Sequence, residues 1–233
     1  MFRALSITLN LGYKKPRPRT DAVRVVSEKY KFIYVGVPLC GTRTALQIFV
    51  RQPFLDFEAF ARNQCIEELL GEKAEYSSYF KFTIVRNPWS RVVSCYNKKI
   101  LNANTLGKIN IISKYTGLRP QMPFRDFVEW LCSDEGQDHY ADKHWISQFE
   151  LLSDGSQQLC CDFIGHFESI QADFEKIFNK IGIISIGLPI LAASKDMPVK
   201  ARYSNYKDYY DAKTIEMIAR RYQKDIEFFD YDF

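Results

Sequence analysis

The chain has 233 residues, a formal net charge of +4, eighteen Phe and fourteen Tyr. That length allows one α/β domain with a sizeable core, and the aromatic content excludes disorder as the main state. The mild positive charge suits anionic ligands but lacks the basic runs that would indicate nucleic acid. No repeat or long linker divides the sequence, so residues 1–233 read as a single domain.

Residues 1–30 read as a lead-in with a basic, proline-broken patch, Lys14-Lys-Pro-Arg-Pro-Arg19. The stretch before it, Met1 to Leu11, has no secretory pattern and is too short and polar to span a membrane.

Phe32, Ile33, Tyr34, Val35 and Val37 form an apolar run typical of a strand buried on both faces of a parallel sheet. Pro38 ends it, because proline has no N–H for the ladder. Gly41 then supplies a tight turn, Thr42 and Thr44 offer hydroxyls, and a helix is expected from Ala45. A helix start with free N–H groups binds phosphate or sulfate, and Arg43 adds a permanent charge with a planar fork of donors. An ordinary strand–turn–helix joint would look the same. No Walker A loop is present, which argues against an ordinary kinase, ATPase or GTPase.

Residues 54–75 are mixed, with helical character from Cys65 to Glu72. Phe82 to Val85 is a second buried-strand pattern, and Arg86 stands at its carboxyl end, where open α/β sheets bind ligands. Asn87 suits an N-cap and Pro88 a first helical position, so a helix is expected over Trp89 to Leu101. Ser94 lies eight residues after Arg86 on that helix. Two strand–helix joints dressed for anions suggest a ligand with two separated phosphate or sulfate groups.

Residues 102–123 are polar and turn-rich and read as a mobile loop over an acceptor site. Helices are expected at Pro123 to Cys132 and Ile170 to Ile181, with a strand at Cys161 to Phe167. A basic loop follows over Leu188 to Arg202, then a final helix over Asp211 to Phe228.

Together the two joints resemble those of the sulfotransferases that use 3′-phosphoadenosine 5′-phosphosulfate, and more narrowly the carbohydrate sulfotransferases related to the HNK-1, chondroitin and dermatan enzymes. Three later stretches carry the resemblance on. They are Asp142-Lys-His-Trp145 with Gln148, Cys161-Asp-Phe-Ile-Gly-His-Phe-Glu168 with Asp173, and the tail from Tyr206 to Phe233. The resemblance implies a P-loop-NTPase-like fold with a central parallel sheet flanked by helices. It implies that Cys40, Gly41, Thr42, Arg43 and Thr44 hold the 5′-phosphosulfate and that Arg86 and Ser94 hold the 3′-phosphate. A late loop closing over the nucleotide would bring Lys200 or Arg202 to it, although a solvated basic loop reads equally well. The acceptor implied is a hydroxyl, on a glycan, and no metal is needed.

For catalysis, His144 is the chosen base among three histidines, with Asp142 or Glu150 orienting it or acting instead. Arg43 is the chosen stabiliser of developing charge. His166 reads as structural, and Glu168 is expected to pair with a cation under the site. One departure stands out: the family has lysine after the loop proline, and here Pro38 is followed by Leu39. Either Arg43 or another cation substitutes, or transfer is slow, or the chain is a nucleotide binder that does not catalyse.

The six cysteines include no C-x-x-C pair, which favours free thiols in a reducing compartment. Cys40 in the anion loop is a candidate for a somewhat activated thiol. Animal relatives in this family carry a Golgi membrane anchor, whereas the reading here is of a soluble, cytoplasmic protein, bacterial or trimmed.

Overall fold

Strands β1 (Ala22–Ser27) and β2 (Phe32–Val35) form a hairpin. The computed structural model in which they are seen describes residues 22–51, 58–103, 112–183 and 205–233. Helix α1 (Thr42–Leu46) runs on in a wider π turn over Gln47–Arg51. Strand β3 (Ala59–Gln64) and helix α2 (Ile66–Glu72) precede β4 (Phe80–Val85). Helix α3 (Pro88–Cys95) also continues as π turns, over Tyr96–Leu101. Then come α4 (Phe124–Leu131), α5 (Gln148–Leu152), β5 (Phe163–His166), α6 (Ile170–Lys180), α7 (Ala212–Arg221) and α8 (Gln223–Phe229).

The sheet has five strands in the order β3-β1-β2-β4-β5. The expected parallel sheet is its central part, where β2 pairs with β4 and β4 with β5. β1 and β3 extend it antiparallel. The short turn between β1 and β2 imposes that direction, since parallel strands need a long crossover. β1 falls within what the sequence presented as a lead-in, because Arg24 interrupts its apolar run and the basic patch lies just before it. β3, with its polar centre, also gave little signal.

Both faces of the sheet are covered, which explains the unbroken apolar runs. Phe32, Tyr34, Phe82 and Ile84 pack on Phe49 of the π turn after α1 and on Phe174, Ile177 and Phe178 of α6. Ile33, Val35 and Val85 face the other way, toward Val92 of α3, Leu131 of α4 and Phe149 of α5. Phe49 touches the rings of Phe32, Phe82, Phe174 and Phe178 at centroid distances from 5.0 to 6.1 Å. Truncating such a fully enclosed ring to alanine costs about 3–5 kcal/mol.

Two expectations change. Residues 112–123 are no simple overhanging loop: Ile112, Tyr115, Leu118 and Met122 are buried, and Tyr115 meets Trp130 and Trp145 edge-on. The final helix is two helices, broken at Tyr222, whose buried hydroxyl donates to the Trp145 carbonyl at 2.7 Å. Helical periodicity alone does not register a break made to reach a partner 77 residues away.

Candidate functional site

The carboxyl ends of β2 and β4 lie side by side, and each feeds a helix. After β2, Gly36 passes so close to β1 that a Cβ there would meet the Val23 carbonyl at 2.7 Å. The loop then turns through two left-handed residues, Leu39 (φ 72°) and Gly41 (φ 84°). Gly41 takes that conformation freely, and leucine does so at a cost. The Leu39 side chain packs on the main core cluster.

Thr42 begins α1, and its hydroxyl donates to the Val37 carbonyl at 2.8 Å, folding the loop on itself. No side chain caps α1, so its first N–H groups lack intrahelical partners by ordinary helix geometry. Thr44 is half-buried and Arg43 is exposed. The Cys40 thiol is turned inward and donates to Gln148 Oε1 at 3.1 Å. Burial pushes that thiol up to about 12, so it is not the activated nucleophile its loop position suggested.

At the second joint Asn87 caps α3, accepting from Ser90 N–H at 3.1 Å, with Pro88 at the first position as expected. Arg86 is half-buried. Its Nε donates to Ser90 Oγ at 3.0 Å and its Nη1 to the Leu39 carbonyl at 3.2 Å, and the guanidinium lies 4.5 Å from the centre of the Phe167 ring. No carboxylate among the described residues is within ion-pair distance of it. Burial pulls its pKa down, outweighing the opposite pull of the more distant Glu168.

Ser94 is half-buried two turns into the helix, and its hydroxyl makes no side-chain hydrogen bond among the described residues. The hydroxyl on Arg86 belongs to Ser90, which the sequence reading missed. Arg91, also missed as a site residue, is 2% exposed. Its fork reaches the carbonyls of Pro38 (3.2 Å), Ile146 (2.7 Å) and Lys143 (3.2 Å), tying the first loop to the segment around His144.

His144 Nδ1 is bound to Asp142 Oδ1, and its backbone N–H donates to the same oxygen at 3.1 Å. Burial lowers the imidazole pKa below its ordinary 6.5, overriding the opposite pull of Asp142. Burial alone would raise the Asp142 carboxyl, but its bonds to His144 hold it below the usual carboxylate range. Glu150 takes no part in orienting His144; it pairs with Lys224 at 3.3 Å. Glu168 makes no ion pair within 4 Å among the described residues; it accepts from Asn87 N–H at 2.9 Å and from the Tyr231 hydroxyl at 3.1 Å, and its charge acts on Arg86 from farther away. His166 is structural, its Nε2 lying 3.1 Å from the Phe229 carbonyl. Lys200 and Arg202 lie outside the described residues. Among the described residues no cluster of three or more His, Cys, Asp or Glu is placed to hold a metal.

A cavity of about 510 Å³ opens beside Arg86, lined by Asn87, Ser90, Phe167, Glu168, Tyr206, Lys207, Tyr231, Asp232 and Phe233.

The sulfotransferase family model matches residues 24–232, which include both joints, His144 and all of the cavity wall but Phe233. This chain belongs to the sulfotransferase family. Its curated relatives include carbohydrate sulfotransferase 10 of Danio rerio, 27% identical over 179 residues, covering 66% of this chain and 47% of that one. The human carbohydrate sulfotransferase 9 is 24% identical over 231 residues, covering 86% of this chain and 47% of its own length. The chain thus spans about half the length of the curated relatives it matches. No solved structure matches it significantly. No described helix of this sulfotransferase-family chain is long and apolar enough to cross a membrane.

Proposed function

We propose that the chain transfers a sulfuryl group from 3′-phosphoadenosine 5′-phosphosulfate to a hydroxyl of a glycan. One observation carries the reading: Arg86, a half-buried cation bonded only to neutral groups, sits beside a left-handed loop and an aromatic cavity of about 510 Å³. Such a guanidinium is a ready partner for a phosphate, and a cavity of that size with ring walls suits a nucleoside. The glycan acceptor is supported by relatives that are named carbohydrate sulfotransferases. The cysteines are all free, which favours a reducing compartment.

The donor supplies the sulfuryl group and a bisphosphate leaving group. Arg86 would hold the 3′-phosphate, with Ser90 fixing the guanidinium from the side. The loop from Cys40 to Thr44 would receive the 5′ end with backbone N–H groups and the Thr44 hydroxyl, and Arg43 adds charge at its rim. Because Asp142 accepts from Nδ1, Nε2 of His144 carries the lone pair that takes the acceptor's proton.

A second reading has its own observation. Leu39 occupies the place of the family's loop lysine and packs on the core, so no cation stands at that position. A nucleotide binder that does not transfer would look like this. Calorimetric titration with adenosine 3′,5′-bisphosphate against ATP, followed by a sulfate-transfer assay on glycan acceptors, separates the cases. Binding with transfer supports the first reading, binding without transfer the second, and no binding removes both.

A further inference from the structure

Gln148 is completely buried, yet its side chain touches both joints. Oε1 accepts from the Cys40 thiol at 3.1 Å and from the Arg86 N–H at 2.9 Å, while Nε2 donates to the Arg86 carbonyl at 2.7 Å. Pairing the N–H and the C=O of one residue is what a neighbouring strand does. Arg86 lies one residue past the last β4–β5 pair, Val85 with His166, so here a side chain does it instead.

Gln148 is itself anchored. Its N–H and that of Phe149 donate to the fully buried Asp225 carboxylate at 2.9 and 2.8 Å. Two residues earlier, the Ile146 carbonyl is held by Arg91, which also grips Pro38. The amide therefore spans the gap between the left-handed loop and the Arg86 backbone from a fixed base.

A ligand with two anionic groups gains from the second contact only if the two subsites keep a set spacing. If the spacing is loose, effective concentration falls and ordering must occur on binding. We infer that Gln148 is the positioning residue that sets the distance between the 38–44 loop and Arg86, and so confers preference for a nucleoside phosphorylated at both the 3′ and 5′ positions. This rests on the nucleotide reading above. Cys40 is the loop's half of the bridge: its thiol, with its pKa pushed upward, serves as a hydrogen-bond donor.

The test compares adenosine 3′,5′-bisphosphate with adenosine 5′-monophosphate by calorimetry on the full chain, together with thermal unfolding of each protein. The parent prefers the bisphosphate. Gln148→Leu and Cys40→Val each lower the ratio of the two affinities by about tenfold, a coupling typical of groups in one network. Cys40→Ser, which can still donate to Gln148, keeps the parent ratio. Should Gln148→Leu fail to fold, Cys40→Val decides, because it leaves the pairing of Arg86 with Gln148 untouched. Variants that melt earlier or bind both ligands more weakly at an unchanged ratio make Gln148 an ordinary core residue and overturn the inference alone. A parent that binds neither nucleotide overturns the nucleotide reading, and this inference with it.

Discussion

Arg86 donates from Nη1 to the carbonyl of Leu39 at 3.2 Å, so the cation of the second joint braces the left-handed turn of the first. The contact uses one N–H at the edge of the guanidinium, and Ser90 uses its Nε. Neither contact neutralises it, and that leaves a charge for a ligand.

Arg86→Ala should therefore weaken binding of adenosine 3′,5′-bisphosphate by about 1.5–3 kcal/mol, the range for a charge-assisted hydrogen bond. Calorimetry reads it directly. Unchanged affinity would remove the 3′-phosphate assignment.

His144 should set the acid limb of the pH–rate profile. Its pKa is lowered by burial, so the imidazole is neutral and able to accept a proton at neutral pH. As pH falls through that lowered value the ring gains a proton, and turnover should drop, with the inflection below 6.5. The sign follows from a base that works only when unprotonated. His144→Ala should lower kcat and leave nucleotide affinity nearly intact. A variant with the parent's profile would exclude His144 as the base.

The joints were legible because both depend on local chemistry. Apolar runs made β2 and β4, Pro38 and Gly41 shaped one turn, and Asn87-Pro88 started α3. What stayed hidden came from long-range pairing. β1 is a strand because β2 and β3 flank it, despite the buried Arg24 in its middle. Ser90 meets Arg86 one turn on, at a spacing of four residues, but that spacing alone does not tell which partner a cation at a strand end will take. Gln148 was noticed only as part of a motif, since nothing in a sequence tells which carbonyl a buried amide will meet across 62 residues.

Leu39→Lys tests the loop itself. Both residues have a Cβ, so the left-handed backbone at φ 72° is strained equally, and at this half-buried position a lysine stem can keep the leucine's core contacts while its ammonium stays in water. Nucleotide binding should persist and turnover should rise, because a cation is restored where negative charge builds on the transferring group. Equal turnover in a transfer assay would mean that Arg43 or another cation already fills that role.

Asp173 provides the stability test. Its carboxylate, 3% exposed, accepts from His166 N–H at 2.8 Å and from the Ser169 hydroxyl at 2.7 Å, and pairs with Lys176 at 2.8 Å. Burial alone would raise its pKa, but these bonds outweigh burial and hold it below 3.8. A carboxyl depressed in the folded state stabilises the protein above its unfolded pKa, and that stability is lost as pH falls through the folded value. Asp173→Asn should therefore cost about 1–3 kcal/mol at neutral pH, and the gap to the parent should narrow at an acid pH below the lowered folded value, where both side chains are uncharged. Urea unfolding at the two pH values measures both numbers. A cost that is the same at both would mean that charge is irrelevant and that Asp173 acts only as a neutral acceptor closing the turn between β5 and α6.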